Sequence, residues 1–333
     1  MLQIIFWFAV LIVCLVVLVK SADYFTRYSE KLGLALGLSS FIVGATIVAI
    51  GTSLPEFITS TLAVVHSGVT TFVADNIIGS NIANALLILG IGAVVAKTLK
   101  VKTSLIDVDL PFFFTSMALF TFFALDRTIT RGEGLFLLGL FIIFLIYSVK
   151  PDTSKKEKEE NKEELQDLKD EYADKKGKKG KKGNIPWGLY LFIILISAGA
   201  LGISAKFLID SVLNISELLG ISSSMLTITV VAIGTSLPEV LTSIAAIRAG
   251  NHALAIGNVF GSNTFNLLLV GGFPALFADL GLTDVTFMVG LPFLIIATFV
   301  AFFVTLDDKI RLWEGAAMLF LYAVFIAKVT NLI

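Results

Sequence analysis

Cysteine is almost absent from this 333-residue chain: the single one, Cys14, sits inside an apolar run. That excludes a disulfide framework and a cysteine-rich metal site. Histidine is nearly as scarce. His66 and His252 fall at expected helix ends, away from the other candidate groups, so no nucleophile–base set or histidine metal cluster points to an enzyme. Charge is also thin, at 15% of residues against about a quarter in a soluble domain. The formal net charge of -1 leaves no basic excess for nucleic acid. What fills the chain is apolar: 56% hydrophobic residues and a mean hydropathy of +0.90. A water-soluble globule of this length cannot hide that much apolar surface, so the composition indicates an all-α polytopic membrane protein.

The charges that do occur are crowded together. Between Lys150 and Lys182 there are 12 lysines and 10 acidic residues. The stretch Lys150–Gly183 is polar, mixed in sign and almost free of aromatics, which describes a solvated tether. The expected organisation is a first five-helix unit over 1–149, a charged cytoplasmic linker over 150–184 and a second five-helix unit over 185–333. Apolar runs long enough to cross a bilayer are expected at 2–19, 38–65, 71–96, 110–125 and 134–149. Five more follow at 187–209, 221–247, 253–277, 287–305 and 314–331. The first run has no basic n-region and is followed at once by Lys20, so it reads as a span and not as a cleaved leader.

Basic residues orient these spans. With the linker on one side, the loops sharing that side carry Lys20, Arg27, Lys31, Lys97, Lys100, Lys102, Arg248, Lys309 and Arg311. The other side carries Arg127, Arg131 and Lys328. The linker side is therefore expected to be cytoplasmic, with both termini outside and the chain in a cell membrane.

The two units repeat each other. Val48–Glu56 and Val231–Glu239 both read VAIGTSLPE. Asn76–Gly90 (NIIGSNIANALLILG) matches Asn258–Gly272 (NVFGSNTFNLLLVGG), and the match resumes at Leu110–Phe112 with Leu291–Phe293 and at Leu125–Gly134 with Leu306–Gly315. An odd number of spans per unit makes the second copy enter from the opposite side. Ten helices then form two inverted-topology repeats of five, an architecture typical of secondary transporters.

Polar residues concentrate in the two repeated motifs. In GTSLPE, Pro55 and Pro238 each remove a backbone donor and free a carbonyl about one turn earlier, which makes the carbonyls of Ala49 and Ala232 candidate ligands. Thr52, Ser53, Thr235 and Ser236 add hydroxyls. Glu56 and Glu239 fall near the middle of their spans, where a carboxylate costs several kcal/mol unless it meets a partner or a cation. In N-x-x-G-S-N-x-x-N, Asn76, Ser80 and Asn84 step by four along one face, as do Asn258, Ser262 and Asn266. Gly79 and Gly261 would let another helix come close. Every ligand in this inventory is a hard oxygen, which suits Ca2+ or Na+ and not Zn2+ or Cu+. Each hydroxyl or amide taken alone is better read as helix-to-helix glue. Asp75 has no acidic counterpart and reads as interfacial.

The paired GTSLPE and GSNxxN motifs, in two inverted five-helix units around a charged loop, resemble the calcium/cation antiporter superfamily and its sodium/calcium exchanger branch. The resemblance covers nearly all of the chain outside the linker. It implies exchange of Na+ for Ca2+ by alternating access, with no cofactor and with the transported ions bound at the membrane midplane. It also implies that Glu56 and Glu239 hold Ca2+. Thr52, Ser53, Ser80, Thr235, Ser236 and Ser262, with the carbonyls of Ala49 and Ala232, would complete the Na+ and Ca2+ sites, and Asn84 and Asn266 would sit beside them. Some relatives, potassium-dependent ones included, carry Asp in place of Asn266. H+-coupled or K+-linked exchange remains the alternative, and a cation channel a more distant one. The partners implied are Ca2+, Na+ and the lipid bilayer.

Overall fold

The computed structural model describes residues 2–36, 38, 40–101, 109–148, 187–218, 236–307, 309–330 and 332. The linker and residues 219–235 lie outside that set, and Ala232 and Thr235 with them. Helix dominates, as long apolar runs in lipid require, because every backbone group must find its partner within its own segment. Among the described residues, eight helices are long and apolar enough to cross a membrane, and Leu110–Asp126 is a shorter apolar helix. The span expected over 221–247 is described only from Ser236 onward.

The chain opens with α1 (Leu2–Ala35), 34 residues long and so about 51 Å at 1.5 Å per residue. The sequence suggested a span ending at residue 19. The helix runs on because the charges that follow, Lys20, Asp23, Arg27 and Lys31, recur every three or four residues. Ala22, Phe25, Thr26 and Ser29 are buried on the other face. α8 (Trp187–Leu218) has 32 residues and packs along α1. Both exceed the roughly 30 Å hydrocarbon core, so they tilt within it or project beyond it.

Two continuous rods follow α1. The first joins α2 (Ser40–Val43), a π-helical turn (Gly44–Val48) and α3 (Ala49–Ser67), which ends on left-handed Gly68. The second joins α4 (Thr71–Ile82), a π turn (Ala83–Ile88) and α5 (Leu89–Ala96). After β1 (Thr98–Lys100) come α6 (Asp109–Phe123), β2 (Thr128–Ile129) and α7 (Arg131–Ser148). Past α8, α9 (Leu237–Arg248) leads to a third rod. It consists of α10 (His252–Phe265), a π turn (Asn266–Val270) and α11 (Gly271–Ala275). The chain ends with β3 (Leu280–Gly281), a π turn (Thr286–Gly290), α12 (Leu291–Leu306), β4 (Lys309–Arg311) and α13 (Leu312–Val329). π turns insert a residue into the helical ladder and gather at functional sites. Two of them, after α4 and after α10, fall at matching places in the duplicated motif.

Contacts obey the same duplication. Gly90 of α5 meets Gly315 of α13 so closely that an added Cβ would lie 3.0 Å from the Gly315 carbonyl oxygen. The equivalent residues, Gly272 and Gly134, do the same for α11 and α7 at 2.8 Å. Leu99 pairs with Ile310 across the β1–β4 ladder, and Leu280 with Ile129 across β2–β3. Glu133 accepts from the Thr130 N–H at 2.7 Å, and Glu314 from the Arg311 N–H at 2.6 Å, each capping the helix it begins. The outer face is apolar, with Phe136 and Phe320 each 70% exposed, while Thr52, Ser53, Glu56, Asn81 and Glu239 are buried. That inversion of the soluble pattern is what a lipid solvent demands.

The close pairs give a test. Gly272→Ala should destabilise by about 1–3 kcal/mol through overpacking against the Gly134 carbonyl. Gly139→Ala, with nothing within 4 Å of the new methyl, should leave stability unchanged or slightly raised. Thermal unfolding of the detergent-purified chain reads both.

Candidate cation site

Helix α10 lies against α2, the first π turn and α3. Glycine permits this approach: a Cβ on Gly257 would collide with the Phe41 carbonyl, and one on Gly261 with the Ala45 carbonyl. Gly261 thus does what its place in the motif suggested. Phe25 of α1 lies against Gly51 of the first GTSLPE, and the Thr26 hydroxyl donates to the Thr242 carbonyl at 3.4 Å, three residues beyond the second.

Ten of the twelve residues singled out from the sequence are described: Glu56, Glu239, Thr52, Ser53, Ser80, Asn84, Ser236, Ser262, Asn266 and Ala49. All ten are buried, none more than 1% exposed. Ser53 Oγ donates to Glu239 Oε1 at 2.9 Å, which links the two repeated motifs directly. Thr52 Oγ1 donates back to the carbonyls of Val48 and Ala49 at 3.1 and 3.3 Å, and lies 3.3 Å from Asn258 Oδ1. The donor that Pro55 removes is the one that would serve Gly51, four residues earlier. What sets the Ala49 carbonyl apart is therefore the Thr52 hydroxyl that reaches it, and not the proline. Glu56 and Glu239 lie within electrostatic range of each other.

The remaining oxygens are unsatisfied. Both Glu56 carboxylate oxygens, Glu239 Oε2, the hydroxyls of Ser80, Ser236 and Ser262, and the amide oxygens of Asn84 and Asn266 are buried without a hydrogen-bond partner. Buried polar atoms in a folded protein are almost always paired. Eight unpaired oxygens drawn from two short motifs, two of them on one carboxylate, are of the donor type that hard cations take. Among the described residues, no three His, Cys, Asp or Glu side chains gather as a softer metal would need.

Other polar residues of the motifs have structural duties. Asn76 Nδ2 donates to Ser60 Oγ at 3.1 Å and ties α4 to α3. Asn258 Nδ2 makes the equivalent bond to Ser243 Oγ at 2.9 Å and also reaches Thr242 Oγ1 at 3.3 Å, which ties α10 to α9. Thr59 and Thr242 return their hydroxyls to the carbonyls of Pro55 and Pro238 at 2.8 and 2.7 Å. Asp75 is exposed and takes hydroxyls from Thr283 at 3.4 Å and from Thr286, outside the buried set. His252 accepts the Lys100 backbone N–H at 3.0 Å at a helix end.

The sequence reading passed over Asn81 and Asn263. Asn81 Nδ2 donates to the Asn263 carbonyl at 3.3 Å, and Asn263 Nδ2 to the Asn81 carbonyl at 3.4 Å. Asn266 Nδ2 donates to Asn81 Oδ1 at 3.2 Å. The signal was present, since this asparagine follows the motif serine in both copies. Helical spacing alone put it off the Asn76–Ser80–Asn84 face.

Asn258→Ala removes a carboxamide that serves three side chains across two helices, and should destabilise by about 1–3 kcal/mol in thermal unfolding.

Comparison with known proteins places the chain in a family. The family model for sodium/calcium exchanger proteins matches residues 6–150 and 187–330. The sodium/calcium exchanger MaX1 of Methanosarcina acetivorans is 32% identical over 343 residues, covering 96% of this chain and 97% of its own. The inner membrane protein YrbG of Escherichia coli is 34% identical over 268 residues, covering 80% and 79%. Among solved structures, the sodium-calcium exchanger NCX_Mj soaked with Na+ and Ca2+ superposes with a TM-score of 0.77 at 28% identity, over 97% of this chain and 98% of that one. A similar fold, a relative 32% identical along nearly the whole chain and a family model that spans both halves lead to one conclusion: this chain belongs to the sodium/calcium exchanger family.

Proposed function

We propose that this protein is a secondary antiporter that exchanges Na+ for Ca2+ across a cell membrane by alternating access. The observation that carries the reading is the set of eight buried, unpartnered oxygens on Glu56, Glu239, Ser80, Asn84, Ser236, Ser262 and Asn266. The two glutamates match the charge of one Ca2+, and the hydroxyl, amide and carbonyl oxygens offer smaller neutral sites for Na+. Thr52, Ser53, Thr235 and the carbonyls of Ala49 and Ala232 complete the ligand set. The names of MaX1 and NCX_Mj, both sodium/calcium exchangers, support the choice of ions.

In this reading ten helices form two inverted five-helix repeats, 1–149 and 185–333, joined by the cytoplasmic linker 150–184, with both termini outside. The duplicated motif, the equivalent glycine contacts and the excess of basic residues on the linker side support it. The ions bind near the midplane. An empty site carrying two buried carboxylates resists passage through the closed state, and occupancy by either ion set removes that cost. Empty return is therefore suppressed and exchange becomes obligatory. No bound cofactor takes part.

The test is Ca2+ uptake into Na+-loaded proteoliposomes. Uptake should require the outward Na+ gradient, and neither a K+ nor a pH gradient should replace it. Glu56→Gln and Glu239→Gln should each reduce it at least a hundredfold, while the purified variants remain folded. Uptake that persists in either variant sinks the site assignment, and uptake driven equally well by a pH gradient sinks the choice of Na+. Ca2+ should also raise the unfolding temperature of the wild type in Na+-free buffer. At about a hundred times the dissociation constant the stabilisation is about 2.7 kcal/mol, and it should vanish in both variants.

A further inference from the structure

The exchange site proposed above uses the amide oxygens of Asn84 and Asn266. An amide is a cation ligand only when its oxygen, and not its NH2, faces the ion. The two ends of a carboxamide are nearly the same size, so its hydrogen bonds decide the orientation. For Asn266 those bonds can be traced to a fixed starting point. The peptide carbonyl of Asn263 only accepts, so the Asn81 atom 3.3 Å from it is the NH2 nitrogen. Asn81 Oδ1 is then the atom held toward Asn266, which donates its own Nδ2 to it at 3.2 Å. That bond takes one of the two N–H donors of Asn266 and fixes the NH2 end on the Asn81 side. The Asn266 Oδ1 is left without a protein partner, four residues beyond the equally unpartnered Ser262 hydroxyl and on the same helix face.

The same logic runs from the other repeat. Asn263 Nδ2 donates to the Asn81 carbonyl at 3.4 Å, so Asn263 Oδ1 is the free acceptor. Asn84, the counterpart of Asn266, is the residue whose NH2 that acceptor would take. Asn81 and Asn263 are both buried, at 0% and 1% exposure.

We infer that Asn81 is a positioning residue for ion exchange: without ligating an ion itself, it fixes which end of the Asn266 carboxamide is presented to it; Asn263 stands in the equivalent place for Asn84, but makes no bond to it here. A pair that merely tied α4 to α10 would matter equally whatever stood at position 266. A pair that sets amide polarity matters only while an amide stands there. Aspartate at 266 has two acceptor oxygens and no polarity to set.

A double-mutant cycle separates the two roles. In the wild-type background, Asn81→Ala should weaken Ca2+ binding about tenfold, the scale of one buried polar group misdirected. The readout is the Ca2+ dependence of thermal unfolding of the full purified chain in Na+-free buffer. In the Asn266→Asp background, the same substitution should change Ca2+ binding less than about twofold. Equal losses in the two backgrounds, or no loss in the first, overturn the inference. If Asn81→Ala does not fold, Asn81→Ser in the same two backgrounds, which also removes the carboxamide, carries the same expectations and the same overturning results. A second readout needs no ion. With isotope-labelled asparagine, the Asn266 side-chain amide resonance, identified by its loss in Asn266→Asp, should shift in Asn81→Ala. An unmoved resonance overturns the inference whether or not the protein transports. A wild type that Ca2+ fails to stabilise defeats the exchanger reading instead, and leaves the resonance to judge the positioning role.

Discussion

Two carboxylates sit where this chain can least easily hold them. Glu56 and Glu239 are each 1% exposed, surrounded by helices whose outer faces are apolar, and three of their four oxygens have no protein partner. A charge in such surroundings costs several kcal/mol, and tying it up with a lysine or arginine would abolish its use. The arrangement makes sense once a cation completes it. Much of the interior can be traced to that requirement. Glycines at 257 and 261 bring α10 against the carbonyls of the first π turn, Asn76 and Asn258 brace the motif helices, and Ser53 joins one motif to the carboxylate of the other.

How much of this was legible in the sequence depends on which signal carried it. The motif pair could be read because it is polar, duplicated and set in apolar runs, and the duplication removes the ambiguity any single Ser or Asn would have. The ten residues it nominated within the described set are all buried. Helix α1 could not be read to its full length from hydropathy, because a window that stops at Lys20 ignores the period of the charges beyond it. The π turns leave no compositional trace, since they depend on how neighbouring helices pull the backbone. The β1–β4 and β2–β3 ladders are three and two residues long, too short for an alternating pattern. Asn81 and Asn263 were missed for another reason. Their partners are each other's peptide carbonyls, and no spacing within one helix announces a bond to a backbone 182 residues away.

Comparing bonds across the repeat separates scaffold from site. Bonds that brace the fold occur in both copies: Asn76 to Ser60 and Asn258 to Ser243, Thr59 to Pro55 and Thr242 to Pro238. Bonds among the candidate ligands occur in one copy only. Ser53 donates to Glu239, whereas the hydroxyl of Ser236 and both oxygens of Glu56 are unpaired. Asn266 donates to Asn81, whereas Asn84 and Asn263 Oδ1 are unpaired. Among the described residues, these one-sided bonds fall on the candidate ligands and on the asparagines beside them.

That placement bears on how exchange can be reversible. If the whole scaffold differed between copies, reversing the site would mean repacking helices, at a cost no bound ion could meet. Within this one structure the two copies of the site differ by a few hydrogen bonds, each worth about 1 kcal/mol net. A ligand shifts an equilibrium only by its differential affinity for the two states, and a difference of a few kcal/mol lies within what ion binding supplies. If the proposed exchange swaps the roles of the two copies, matched braces would keep the two arrangements close in energy, and the one-sided ligand bonds would leave the choice between them to the ion. A duplicated sequence is an economical way to obtain both properties, because the second arrangement uses the same residue types in exchanged roles.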